Sequence, residues 1–165
     1  MKLRSTILWL VCTLTLAACV KDEYARTSSY MVNHSAHRIV VTPYLRDSAV
    51  LGKRITLIPG DSLLVNQSDG AGKDGASSWV LQAQAYDSLH VLYVDTSAAL
   101  PRDTARIGHL RQGGIVSYTH FIPYSSPRSL LNAANWTGAP VEETRYLLRS
   151  NFHFTFTEQD YLDAR

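Results

Sequence analysis

The side chains best suited to chemistry in this chain are six histidines, His34, His37, His90, His109, His120 and His153. A zinc site needs ligands that converge at characteristic spacings. His34 and His37 stand three residues apart, an odd spacing that points two strand side chains to opposite faces. No metal is expected. Serine and aspartate are plentiful enough to assemble a Ser-His-Asp set on paper, but the chain has no Gly-x-Ser-x-Gly elbow, and no enzymatic activity is expected. Gly70-Ala71-Gly72-Lys73-Asp74 lacks the first glycine and the Ser/Thr of a phosphate loop, and its aspartate repels phosphate. It reads as a hairpin or inter-strand loop, and no cofactor is expected. Trp79 and Trp136, with Tyr118, Tyr124 and Tyr146, are the aromatics able to stack on a sugar, although aromatics are more often core residues.

The strongest chemical signal is a cysteine. The chain has two, Cys12 and Cys19. Lys2 and Arg4 precede the apolar run Ile7-Leu8-Trp9-Leu10-Val11-Cys12-Thr13-Leu14-Thr15-Leu16, then small residues, the layout of an export signal. That run is too short to cross a bilayer, which takes about 20 helical residues. Cleavage after Ala18 leaves one cysteine, with no partner for an internal disulfide. Leu16-Ala17-Ala18-Cys19 resembles the bacterial lipobox, whose cysteine sulfur receives diacylglycerol. The resemblance implies two or three acyl chains on Cys19, which hold a protein stably on a membrane at roughly 0.8 kcal/mol per buried methylene. Lys21-Asp22-Glu23 resembles the Bacteroidetes signal that sends lipoproteins to the outer face of the outer membrane. The alternative is a plain charged tether on the periplasmic face.

Asp followed by Ser/Thr and an aliphatic residue occurs at Ser48, Ser62, Ser88 and Thr104. The pattern resembles the O-glycosylation sequon of exported Bacteroidetes proteins, and at least one of the four is expected to carry a glycan. Asp-Ser also starts turns. The N-glycan patterns at Asn33, Asn66 and Asn135 are expected to be bare. Of sixteen basic residues, Lys2 and Arg4 lie in the signal, which leaves the remainder level with fourteen acidic ones. Nothing in that balance favours nucleic acid.

These residues need elements to position them. Residues 1–18 are read as the signal, 19–28 as a lipidated polar tether, and 29–165 as one domain, long enough to bury a core without disulfides. Strands are expected at 29–33, 38–45, 53–58, 62–65, 89–94, 115–122 and 145–157. Arg46-Asp47-Ser48 and Pro59-Gly60-Asp61 read as turns, 68–78 as loop, and Pro43 as an edge or strand-end residue. Residues 79–85 fit either a strand or a helical turn. Ser126 and Pro127 mark the start of a short helix running to Ala134. Phe152, Phe154 and Phe156 alternate with polar residues, as a half-buried strand requires. Thr157 starts a last helical turn carrying Tyr161 and Leu162.

Many short strands with turns between them predict an antiparallel β-sandwich, immunoglobulin-like, with one or two short helices; a small β-barrel is the alternative. Ser126-Pro127-Arg128-Ser129-Leu130-Leu131-Asn132 and Phe154-Thr155-Phe156-Thr157-Glu158-Gln159-Asp160-Tyr161 resemble the C-terminal part of small uncharacterised Bacteroidetes lipoproteins. That family brings no activity with it. The expected function is a non-enzymatic lipoprotein with a protein-interaction or envelope role, partnered by the membrane through Cys19 and by an outer-membrane protein or glycan. The alternative is a glycan- or ligand-binding accessory module of a nutrient-uptake system.

Overall fold

The computed structural model describes residues 23–72, 82–95, 104–111 and 120–165. The expected signal, Cys19, Lys21, Asp22, residues 73–78 of the expected loop, Trp79, Tyr118 and the start of the strand expected at 115–122 lie outside them. Ten strands are described: β1 (Tyr24–Asn33), β2 (Arg38–Leu45), β3 (Ser48–Ala49), β4 (Ile55–Leu57), β5 (Ser62–Ala71), β6 (Ser88–Val94), β7 (Thr104–Leu110), β8 (Phe121–Ile122), β9 (Thr137–Glu143) and β10 (Leu147–Phe156). The C-terminal helix α1 spans Glu158–Asp163, and single 3-10 turns lie at Leu51–Lys53 and Ala133–Asn135.

The strands form two sheets, ordered β5-β1-β10-β9 and β3-β2-β6-β7-β8, with β4 also on β2. The fold is mainly β, as the sequence predicts, and among the described residues the sheets do not close into a barrel. Most ladders are antiparallel. The exceptions are β7 with β8, and β1 with β10, where the two end strands run parallel through the middle of the first sheet. Register alternates cleanly there. Met31 faces the core beside Phe154, whereas Tyr30 and His153 stack on the outer face with ring centroids 5.1 Å apart. Ile39, Val41, Leu89, Val91, Tyr93 and Ile107 supply the other half of the core.

Turn chemistry follows the sequence. Arg46 (φ 49°) and Asp47 (φ 60°) both take positive φ, the geometry of a tight hairpin loop, and the Asp87 carboxylate accepts the Arg46 N–H. Pro43 sits where pairing on that side of β2 passes from β4 to β3. A proline lacking an N–H costs no ladder bond there.

Four expectations need correction. The first strand begins at Tyr24, so the polar tether expected over 19–28 is shorter; residues 24–28 alternate toward the core, with Ala25 and Thr27 buried. The expected loop from Ser68 is strand as far as Ala71, and the chain turns at Gly72, whose φ is 76°. β7 and β9 were not anticipated. β9 is exposed along its whole length and Gly138 lies under the Phe152 ring, so it carries no apolar alternation to read. Finally, 126–134 is a chain of turns, not a helix. Asn132 and Asn135 amides bind the backbone at Tyr124, Ser126 and Ser129, in competition with helical bonds. The Leu130 N–H goes to His109 Nδ1 (3.1 Å). Leu130 and Leu131 are both fully buried, and consecutive burial suits a segment threading into the core.

Candidate functional site

The sequon residues separate by exposure. Ser48, Ser62 and Thr104 are exposed, but Ser88 is 5% exposed at the start of β6 and cannot reach a transferase in the folded chain. Trp136 is not a platform. It is 6% exposed, packs on Phe154, and donates its indole N–H to the Leu130 carbonyl at 3.1 Å. Tyr124 is half-buried against the core. Glu23, the last residue of the expected export signal, is exposed, and its carbonyl accepts the Gly72 N–H at 2.8 Å where the sheet begins.

The histidines scatter, and among the described residues no three His, Cys, Asp or Glu side chains gather to hold a metal. His109 points into the core and accepts the Leu130 amide. Burial lowers its pKa to about 3, which keeps it neutral. His90 stacks on Tyr44 with centroids 3.8 Å apart, and burial lowers its pKa to about 4, with Arg106 adding to the shift. Neither is solvated. His37 lies in the β1–β2 connection, stacked on Tyr161 at 3.7 Å, with Nε2 3.1 Å from Glu158.

The two C-terminal sequence segments meet in one structural clasp. The Asp160 carboxylate accepts a bond from the Thr157 backbone N–H (2.7 Å), one arm of the capping box of α1, and another from the Thr157 hydroxyl (2.9 Å). It also takes both Arg128 Nε (2.7 Å) and Nη2. Arg128 adds a bond to the Thr155 carbonyl at 3.0 Å and lies over the Phe154 ring at 5.4 Å. Arg128 and Asp160 are therefore framework residues that tie the 126–136 segment to α1.

A surface with binding chemistry lies elsewhere, on the outer face of the four-stranded sheet. A groove of about 410 Å³ there is lined by Arg26 and Ser28 of β1, Gln67 of β5, Arg149 and Asn151 of β10, and Val141 and Glu142 of β9. Its size falls within the ordinary range for small-ligand sites. Strand register explains the set. Arg26 pairs with Asp69 on one side and Arg149 on the other, and Arg149 pairs with Glu142, so a row runs acid, base, base, acid across the sheet. The next row is Gln67, Ser28, Asn151 and Ala139. Small Ser28 between larger neighbours makes the floor. A register shift between Arg149 and Ser150 lets Val141 bulge into the wall, 63% exposed.

Arg26 Nε binds Asp69 at 2.7 Å and Nη2 binds the other oxygen at 3.1 Å; Arg149 binds Glu142 at 3.1 Å. The hydrogen bond from Arg26 holds the Asp69 carboxyl below its usual range and holds Arg26 itself firmly charged. Comparison of the chain with family models, curated proteins and solved structures finds no match. The groove therefore has to be read from its own geometry. It was not legible beforehand, because Arg26 and Arg149 come from opposite ends of the chain.

A second cleft, of about 360 Å³, lies among Lys53, Arg54, Asn66 and Tyr86.

Proposed function

We propose that this chain is a lipid-anchored β-sandwich lipoprotein of the bacterial outer membrane, displayed on the cell surface, with a non-enzymatic contact role. The observation that carries the reading is the spacing from lipobox to fold. Cys19 is followed by the acidic export-type run and then directly by Tyr24, the first residue of a central strand. Five residues span at most about 18 Å at the reach of an extended chain. Acyl chains on Cys19 would thus hold the Tyr24 end of the sheet close to the bilayer and point the Pro59-Gly60-Asp61 turn and α1 away from it. The exposed Ser62 and Thr104 lie toward that far end, where a glycan meets no membrane.

A second reading, ligand binding, is favoured by the groove on the outer sheet face, which presents two arginines, two amides and a hydroxyl together. The lipoprotein reading is tested in cells of the native host. Wild-type chain is expected in the membrane fraction and to be cut by protease added to intact cells. Cys19→Ser is expected in the soluble fraction. Protease resistance until lysis contradicts surface display, and membrane retention of Cys19→Ser contradicts the lipid anchor.

A further inference from the structure

We infer that the groove between Arg26 and Arg149 binds a carboxylate carried on a hydroxyl-rich molecule, the chemistry of a sugar acid. The inference deepens the ligand-binding reading above and does not depend on the lipid. Arg26 and Arg149 pair across adjacent strands and line the same groove, and each holds a protein carboxylate on its outer flank, Asp69 or Glu142. Arg26 Nη2 also donates to the Tyr24 hydroxyl at 3.2 Å, and among the described residues no carboxylate bridges the two arginines. An anion seated there would turn a repulsive pair of cations into an alternating row, and arginine forks match carboxylate geometry.

Beside the cations, Ser28, Gln67 and Asn151 carry side chains with no hydrogen-bond partner among the described residues, and Ser28 is only 8% exposed at the floor. Hydroxyl and carboxamide groups both donate and accept, as a sugar hydroxyl does. Val141 is the one apolar wall. Among the described residues, Tyr30 and His153 cover each other with planes 13° apart, and the Tyr24 ring is occupied by the Arg26 guanidinium, 5.9 Å from its centroid. A neutral sugar that binds by stacking finds no platform, and an acidic peptide finds no pockets for apolar side chains. The carboxylate is the group left to drive binding.

The test is calorimetric titration of the full chain in detergent with a glucuronate disaccharide, its methyl ester and triglutamate. Saturable binding of the acid is expected, weakened about tenfold or more by esterification, as for loss of a charge-assisted hydrogen bond. Arg149→Gln is expected to weaken it to a similar degree. Arg149 is half-exposed, and such pairs contribute little to stability, so the variant should fold. Asn151→Asp, which places a negative charge at the groove, is expected to abolish binding with the melting temperature retained. Equal binding of acid and ester, tighter binding of triglutamate, no binding of the acid, or wild-type affinity in Arg149→Gln overturns the inference. Acylation of Cys19 is read separately by labelling, so failure of one does not imply failure of the other.

Discussion

Replacing Arg128 by methionine severs the clasp while keeping an unbranched stem of similar length over Phe154. The Asp160 side chain is 8% exposed and would be left with only its two Thr157 donors, in place of those plus a bidentate arginine. Removing one partner of a fully buried pair costs about 3–5 kcal/mol. Arg128 is 40% exposed, so water can replace part of it, which lowers the expected loss. The charge-assisted bond to the Thr155 carbonyl, part-buried, contributes about 1.5 kcal/mol more, for a net cost of about 2–3 kcal/mol. Unfolding entropy of about 2.1 cal/mol/K per residue over roughly 140 residues gives about 0.3 kcal/mol/K, hence a fall in Tm of about 7–10 °C. Thermal unfolding followed by circular dichroism measures it. The double variant Arg128→Met/Asp160→Asn should lose less than the sum of the single losses, since the two groups act as one unit. A Tm within about 2 °C of wild type for Arg128→Met, or strict additivity in the double variant, would refute the clasp.

Burial of His109 ties stability to pH. Its folded pKa, about 3, lies below the value of 6.5 for an unperturbed imidazole, so the unfolded chain takes up the proton first and stability falls as pH drops below 6.5. Between pH 7.5 and 5 the loss from this group is about 2 kcal/mol. His109→Gln, which keeps an acceptor for the Leu130 amide, should flatten that slope in urea titrations, and an unchanged slope would count against a neutral buried ring. His90 shifts in the same direction and adds to the acid loss. For the sequons, peptide mapping of the protein from its host should find any glycan on Ser48, Ser62 or Thr104 and none on Ser88. Glycan on Ser88 would show that modification precedes folding.

The parts of the fold legible in the sequence are those where one side chain repeats its environment at fixed period. The alternating Phe152, Phe154 and Phe156 mark β10, and β-branched residues mark β2. Punctuation by Pro59-Gly60 and Thr157 placed a turn and a helix start correctly. The failures share a cause, which is that tertiary contacts overrode local signals. Ser126-Pro127 opens like a helix, but Asn132, Asn135, His109 and Asp160 pull the segment into turns. β9 is an exposed edge whose partner Phe152 lies over Gly138, so no alternation records it. Trp136 seals the core, as aromatics more often do, and offers no ligand contact. The groove was invisible because its two arginines become neighbours only through the parallel pairing of the first and last strands.

The proposed lipid anchor stands or falls with the chemistry of Cys19. Mass spectrometry of the amino-terminal peptide from the membrane-extracted protein, after growth with an alkyne-tagged palmitate, measures it directly. The predicted result is a chain beginning at Cys19, with diacylglycerol on its sulfur and label at that residue. A chain still beginning at Met1, or one cut at another position with an unmodified thiol, would contradict the lipid anchor and with it the placement of the domain against the membrane.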